Sequence, residues 1–84
     1  MDIKDNDELR NFVKRIRLEL QKNNEINLAN DLKNWNNESF TSSSEFLGEL
    51  MLLLEKVKLS MQISDVKKKE IIECILIIRK ALTV

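Results

Sequence analysis

The chain has no histidine and no proline, and it has one glycine and one cysteine among 84 residues. Each absence removes something. Without histidine there is no common general base for neutral pH, no usual metal ligand and no Ser-His or Cys-His nucleophile. A single cysteine without histidine rules out a zinc site of ordinary type. Gly48 alone cannot make a glycine-rich phosphate loop, and no Asp-x-Asp-x-Asp-Gly calcium loop occurs. The turn chemistry of β-rich folds is missing as well, which points to helices joined by short polar links. The expectation is a non-enzymatic protein with no cofactor and no metal.

What is present fits one small domain spanning 1–84. A chain of this length buries roughly 60–65% of its unfolded surface, so its stability is modest and a partner would add to it. Hydrophobic residues make up 43% and charged residues 33%, the balance of a folded domain rather than a disordered one. Cys74 lies within Glu-Cys-Ile-Leu-Ile-Ile and reads as a small buried hydrophobe. With no disulfide possible inside the chain, a reducing compartment is the simpler assumption. The polar, acidic start Met-Asp-Ile-Lys-Asp-Asn-Asp-Glu is unlike a signal peptide, and the apolar runs at 50–54 and 75–78 are too short to span a bilayer. The expected location is the cytoplasm, with no membrane partner.

The formal charge is zero, but it is unevenly spread. Residues 23–55 carry six acidic groups against Lys33 alone, and residues 56–84 carry seven basic groups against three acidic ones. One reading is complementarity between neighbouring helices. The other is an acidic face for a basic partner, because local potential steers association.

Helices are predicted over 6–22, 25–35, 43–59 and 65–82. Asp5 and Glu8 form a capping pattern, and Leu9, Phe12, Val13, Ile16 and Leu20 then make one apolar stripe at helical period. Asn23-Asn24 stops that helix, since asparagine tolerates left-handed backbone. Leu28, Leu32 and Trp35 share a face of the short second helix, with Ala29 alongside. Residues 36–41 read as a loop, with Phe40 as a plug returning to the core. Ser42 and Glu45 form a capping box at the start of the third helix. That helix is apolar around much of its circumference, and Gly48 inside it predicts close approach of a neighbouring helix, with a flexible hinge as the alternative. Ser64 or Asp65 caps the fourth helix, whose buried face is assigned to Ile71, Ile72, Ile75, Leu76, Ile78 and Leu82. The fold class is all-α, a compact antiparallel four-helix bundle with a short second helix.

Nucleic-acid binding needs a basic footprint. The candidates are Arg10, Lys14, Arg15 and Arg17 on the first helix and Lys67, Lys68 and Lys69 at the start of the fourth. Cations are disfavoured at a helix N-terminus, and the third helix has no Arg, Lys, Asn or Gln before Lys56 with which to read bases. A nucleic-acid-associated regulator therefore ranks third among the functions weighed. Glu45 and Glu49 form an i, i+4 carboxylate pair, read as one capping and one solvated side chain. The candidate protein-binding patch is Asp31, Trp35, Glu38 and Phe40, aromatic residues flanking carboxylates. The alternative for Trp35 is a place in the core.

One stretch resembles a known group. Leu28-Ala29-x-Asp31-Leu32-x-x-Trp35, followed by Ser39-Phe40-Thr41-Ser42-Ser43-Ser44-Glu45-Phe46-Leu47, is similar to small uncharacterised bacterial all-helical proteins. Those share a Leu-Ala-x-x-Leu short helix, a Thr/Ser-rich turn ending in Glu, and a long apolar helix. Some are associated with polymorphic-toxin loci. Where that pattern has a loop glycine, this chain has Asn36-Asn37. The resemblance implies an immunity-type protein that binds another protein, a toxin. The alternative partner is a second copy of the chain, joined through the apolar surplus of the third and fourth helices as a homodimer seam.

Overall fold

Asp5 begins the first helix as its spacing requires: its carboxylate accepts from the Glu8 N–H at 2.8 Å. A computed structural model describes residues 5–60 and 63–82. Four helices follow in order: α1 (Asn6–Lys22), α2 (Ile26–Asn37), α3 (Ser43–Lys58) and α4 (Asp65–Leu82). The first four residues, which carry half of the polar start, and Met61-Gln62 of the last link lie outside the described residues.

The end of α1 is set by backbone geometry. Asn24 has φ 68°, in the left-handed region, and the Glu25 N–H donates to the Leu20 carbonyl at 2.8 Å. The Asn24 N–H donates to the Gln21 carbonyl at 3.2 Å. These two bonds form a Schellman motif, which satisfies carbonyls that a helix end would leave orphaned. The turn sends α2 back along α1. The Ser42 hydroxyl accepts from the Glu45 N–H at 3.1 Å and opens α3. The Glu45 carboxylate accepts from the Thr41 hydroxyl at 2.6 Å, one residue before the position a capping box expects. Of the two candidate caps for α4, Ser64 fills the role, with its hydroxyl taking the Lys67 N–H at 3.3 Å.

Each helix packs on the one before it: α2 on α1, α3 on α2 and α4 on α3. All five stripe residues of α1 are buried. Ala29, Leu32 and Trp35 from α2 meet them, with Phe46, Leu50, Leu54 and Val57 from α3 and Ile71, Cys74, Ile75 and Ile78 from α4. Ile63 in the last link joins this core. Among the described residues no polar or charged residue is fully buried, so the core needs no internal ion pairs.

Three expectations are corrected. First, Asn36 and Asn37 belong to α2 rather than to the loop. Arg10 donates to the Asn36 carbonyl at 2.6 Å, which supplies a partner at the helix end and keeps the last turn wound. Second, Ile72 and Leu76 do not share the buried face of α4, being 45% and 53% exposed. Neighbours cover only the arc centred on Ile71, Cys74, Ile75 and Ile78, and both residues fall outside it. Third, Gly48 is not a contact point among the described residues, none of which has an atom within 4 Å of where its Cβ would stand.

The glycine therefore weakens α3 without relieving any clash within the fold. Gly48→Ala is expected to stabilise dilute protein by about 0.5–1 kcal/mol, from helix propensity and a less flexible unfolded chain. Urea unfolding followed by circular dichroism measures it, and the expected signature is a higher midpoint with an unchanged slope.

Candidate functional site

The loop between α2 and α3 runs from Glu38 to Ser42, and its polar residues end at the N-cap of α3. Phe40 returns from this loop to the core edge. Its ring meets that of Phe46 edge-on, with centroids 5.6 Å apart. The Trp35 ring lies 4.8 Å from Phe46 and 6.3 Å from Phe40. Three of the chain's four aromatic residues thus gather at one joint. The Trp35 Nε1–H donates to the Phe46 carbonyl at 3.0 Å, in a buried position. This satisfies the one polar atom of the indole and ties the end of α2 to the first turn of α3.

Arg10 closes the joint from α1. Its guanidinium carbon lies 4.9 Å from the Phe46 ring centre and 5.4 Å from that of Trp35. Nη1 also donates to Asn36 Oδ1 at 2.7 Å. A cation above two ring faces, bonded to the carbonyl end of a helix, has favourable electrostatics on both sides. Arg10 is therefore not part of a basic footprint. Arg17 is half-buried as well, with a buried Nε that has no hydrogen-bond partner. Of the four basic residues expected to face solvent on α1, only Lys14 and Arg15 are exposed. On α4, Lys67 is paired with Glu70 at 3.7 Å.

The candidate patch divides. Trp35 is 2% exposed and belongs to the core, so it is not available as a surface anchor. Phe40 is half-buried against the same cluster. Asp31 and Glu38 are exposed. Both line an open groove of about 240 Å³ between α2 and α3, floored by Trp35 and Leu53 and completed by Asn34, Glu49 and Lys56. Glu38 and Phe40 also border a second open hollow, of about 510 Å³, that Arg10 lines on its α1 side.

The charges in the groove are not used internally. Within the described residues no cation lies at ion-pair distance from Asp31, Glu38 or Glu49. Helix complementarity does operate elsewhere. Glu55 pairs with Lys58 at 2.9 Å along α3 and with Arg79 at 3.6 Å across to α4. Such exposed pairs contribute at most about 1 kcal/mol. The acidic middle of the chain thus splits into a paired part facing α4 and an unpaired part facing the α2–α3 groove.

Sequence spacing did not assign Arg10, Asn34, Phe46, Glu49, Leu53 or Lys56 to this region, and Glu49 and Arg10 are the charged ones that matter most to it. Glu49 carries a weak signal, because it lies seven residues before Lys56 on the same face. Arg10 carries none, since it borders the apolar stripe of α1 just as a solvated residue would. Glu45 and Glu49 do not act as a pair: Glu45 is taken by Thr41, and Glu49 lines the groove. Among the described residues no group of acidic or thiol side chains converges as a metal ion would require.

Cys74 is 0% exposed, and burial pushes its thiol from 9.0 up to about 12. The neutral form is favoured in the folded state, so this group's contribution to stability is full below pH 9 and is lost as pH rises from 9 towards 12. At pH 8 an aromatic disulfide reagent is expected to modify Cys74 no faster than the protein opens, and the rate should rise with urea. Rapid modification of the native protein at zero urea would contradict this burial. Comparison with protein-family models, with curated proteins and with solved structures finds no match to this chain.

Proposed function

We propose that the protein is a non-enzymatic binding module of the cytoplasm that acts by occluding another protein, most concretely an immunity-like inhibitor of a bacterial toxin. One observation carries the reading: among the described residues, Asp31, Glu38 and Glu49 line a single groove with Lys56 opposite them, and none of the three carboxylates makes an ion pair. Carboxylates held by two packed helices and left uncompensated form a preorganised negative surface. The partner they suit presents lysine or arginine side chains. Trp35 contributes rigidity rather than contact, because it fixes α2 to α3 beneath the groove. The resemblance of the pattern in 28–47 to small bacterial all-helical proteins, some of them associated with polymorphic-toxin loci, points the same way.

The test takes the protein encoded next to this one as the candidate toxin. Mixing the two purified proteins is expected to give a stoichiometric complex, and co-expression is expected to protect the host. D31A/E38A/E49A replaces exposed side chains only, so the variant should keep its helicity and lose affinity by roughly tenfold or more. Wild-type affinity should also fall as salt rises. No complex and no protection would end the immunity reading. A complex that the triple variant forms equally well would move the interface away from this groove.

A further inference from the structure

α1 has an outer face that the core does not use. Asp7, Asn11, Lys14, Leu18 and Lys22 follow at i, i+4, i+7, i+11 and i+15, with Arg15 beside Lys14, and all of them are exposed. Within the described residues none of Asp7, Lys14, Arg15 and Lys22 makes an ion pair. Glu19, one helical turn from both Arg15 and Lys22, is turned to the start of α4, where it accepts from the Ser64 N–H at 3.5 Å. Read from its C-terminal end, the face carries Lys22, then Arg15 with Lys14, then Asp7, in steps of two helical turns, about 10–12 Å. The α2–α3 groove carries the opposite series. α3 runs back along α2 after the short 38–42 link, so Asp31, six residues before the end of α2, lies level with Glu49, six residues after the start of α3. Lys56 lies two turns beyond Glu49, away from the link, and it too has no ion pair among the described residues. From the link outward the groove therefore carries Glu38, then Asp31 with Glu49, then Lys56, again in steps of two turns.

We propose that the α2–α3 groove docks the α1 outer face of a second copy of the chain. The charge order selects both the occupant and its direction. With the second copy's α1 parallel to α2, its Lys22 meets Glu38, its Arg15 and Lys14 meet Asp31 and Glu49, and its Asp7 meets Lys56. The reverse direction sets Lys22 against Lys56 and Asp7 against Glu38, which repel. Leu18, 51% exposed, stands between the cations as Trp35 stands between Asp31 and Glu38, so it comes over the floor of the groove. The α1 face and the groove are different surfaces of one chain. The contact is therefore head-to-tail, each copy keeps one free end, and assembly extends past a dimer. The formal charge of zero leaves no long-range repulsion between copies. Exposed pairs contribute little each, so the association is weak and salt-dependent. The inference rests on the groove described above and not on the identity of a toxin: a second copy holds the groove until a tighter basic partner displaces it.

Sedimentation equilibrium of the full chain, over roughly 10 µM to 1 mM, covers the range of a weak interface. At low salt the weight-average mass is expected to rise from 9.9 kDa past twice that value, and at about 0.5 M salt to fall back towards 9.9 kDa. K14Q/R15Q/K22Q neutralises the face and D31N/E38N/E49Q the groove. All are exposed positions, and circular dichroism should show that both variants stay folded. Each alone is expected to stay near 9.9 kDa. Mixed in equal parts they are expected to pair, because one keeps an intact groove and the other an intact face, and to stop at twice 9.9 kDa. A wild-type mass that stays at 9.9 kDa at low salt would overturn the proposal, as would variants that associate as the wild type does, or a mixture that does not pair. The inhibitor reading stands or falls separately, on the complex with the neighbouring protein.

Discussion

The hydrogen bond from Trp35 Nε1 to the Phe46 carbonyl, with Arg10 above both rings, is the constraint on which the rest of the molecule depends. It brings three helices to one point. α2 needs it most. The helix has 12 residues and no side-chain cap bond at its start, so its stability must come from packing. Trp35 anchors its last turn to α3, and Arg10 holds the Asn36 carbonyl from α1. With the end of α2 fixed, the short Glu38–Ser42 link has little freedom, and the cap at Ser42 sets the direction of α3. The groove between α2 and α3 inherits that rigidity, because Trp35 is its floor.

Local chemistry was legible wherever the determinant was local. Asp5, Ser42 and the Asn23-Asn24 stop mark helix ends through bonds to residues a few positions away, and the structure places the ends there. The stripe of α1 was legible because that helix has one apolar face and buries it whole. α3 and α4 are apolar over wider arcs than their neighbours can cover. Periodicity identified their apolar residues but not which of them would be left out, and Leu52, Ile72 and Leu76 are exposed for that reason. Gly48 shows the same limit, since no described residue comes within 4 Å of its Cβ position.

The charges of the candidate site and the return of Phe40 to the core were legible, whereas the sequence left Trp35 between surface and core. Asp31 and Glu38 stand at the surface, where short polar side chains on a solvated face are expected. Trp35 and Phe40 turn inward because each finds a partner on another element, the Phe46 carbonyl and the Phe46 ring. Arg10 lies 25 residues before Trp35, and no local spacing predicts a cation over its ring. The result is a molecule whose two uncovered features differ in kind: a groove lined by three carboxylates, and an apolar face beside Glu55, which Lys58 and Arg79 both hold.

The central claim is that Arg10 and Trp35 act as one unit. A double-mutant cycle with Arg10→Met, Trp35→Leu and the pair, followed by urea unfolding and circular dichroism, measures this most directly. Arg10→Met removes the cation and keeps much of the apolar stem, and Trp35→Leu removes the ring face together with the indole N–H. The account predicts a coupling of about 1 kcal/mol or more between the two sites, as expected for a partly desolvated cation over a ring. Losses that simply add would contradict it, and would mean that the joint is two independent contacts that happen to adjoin.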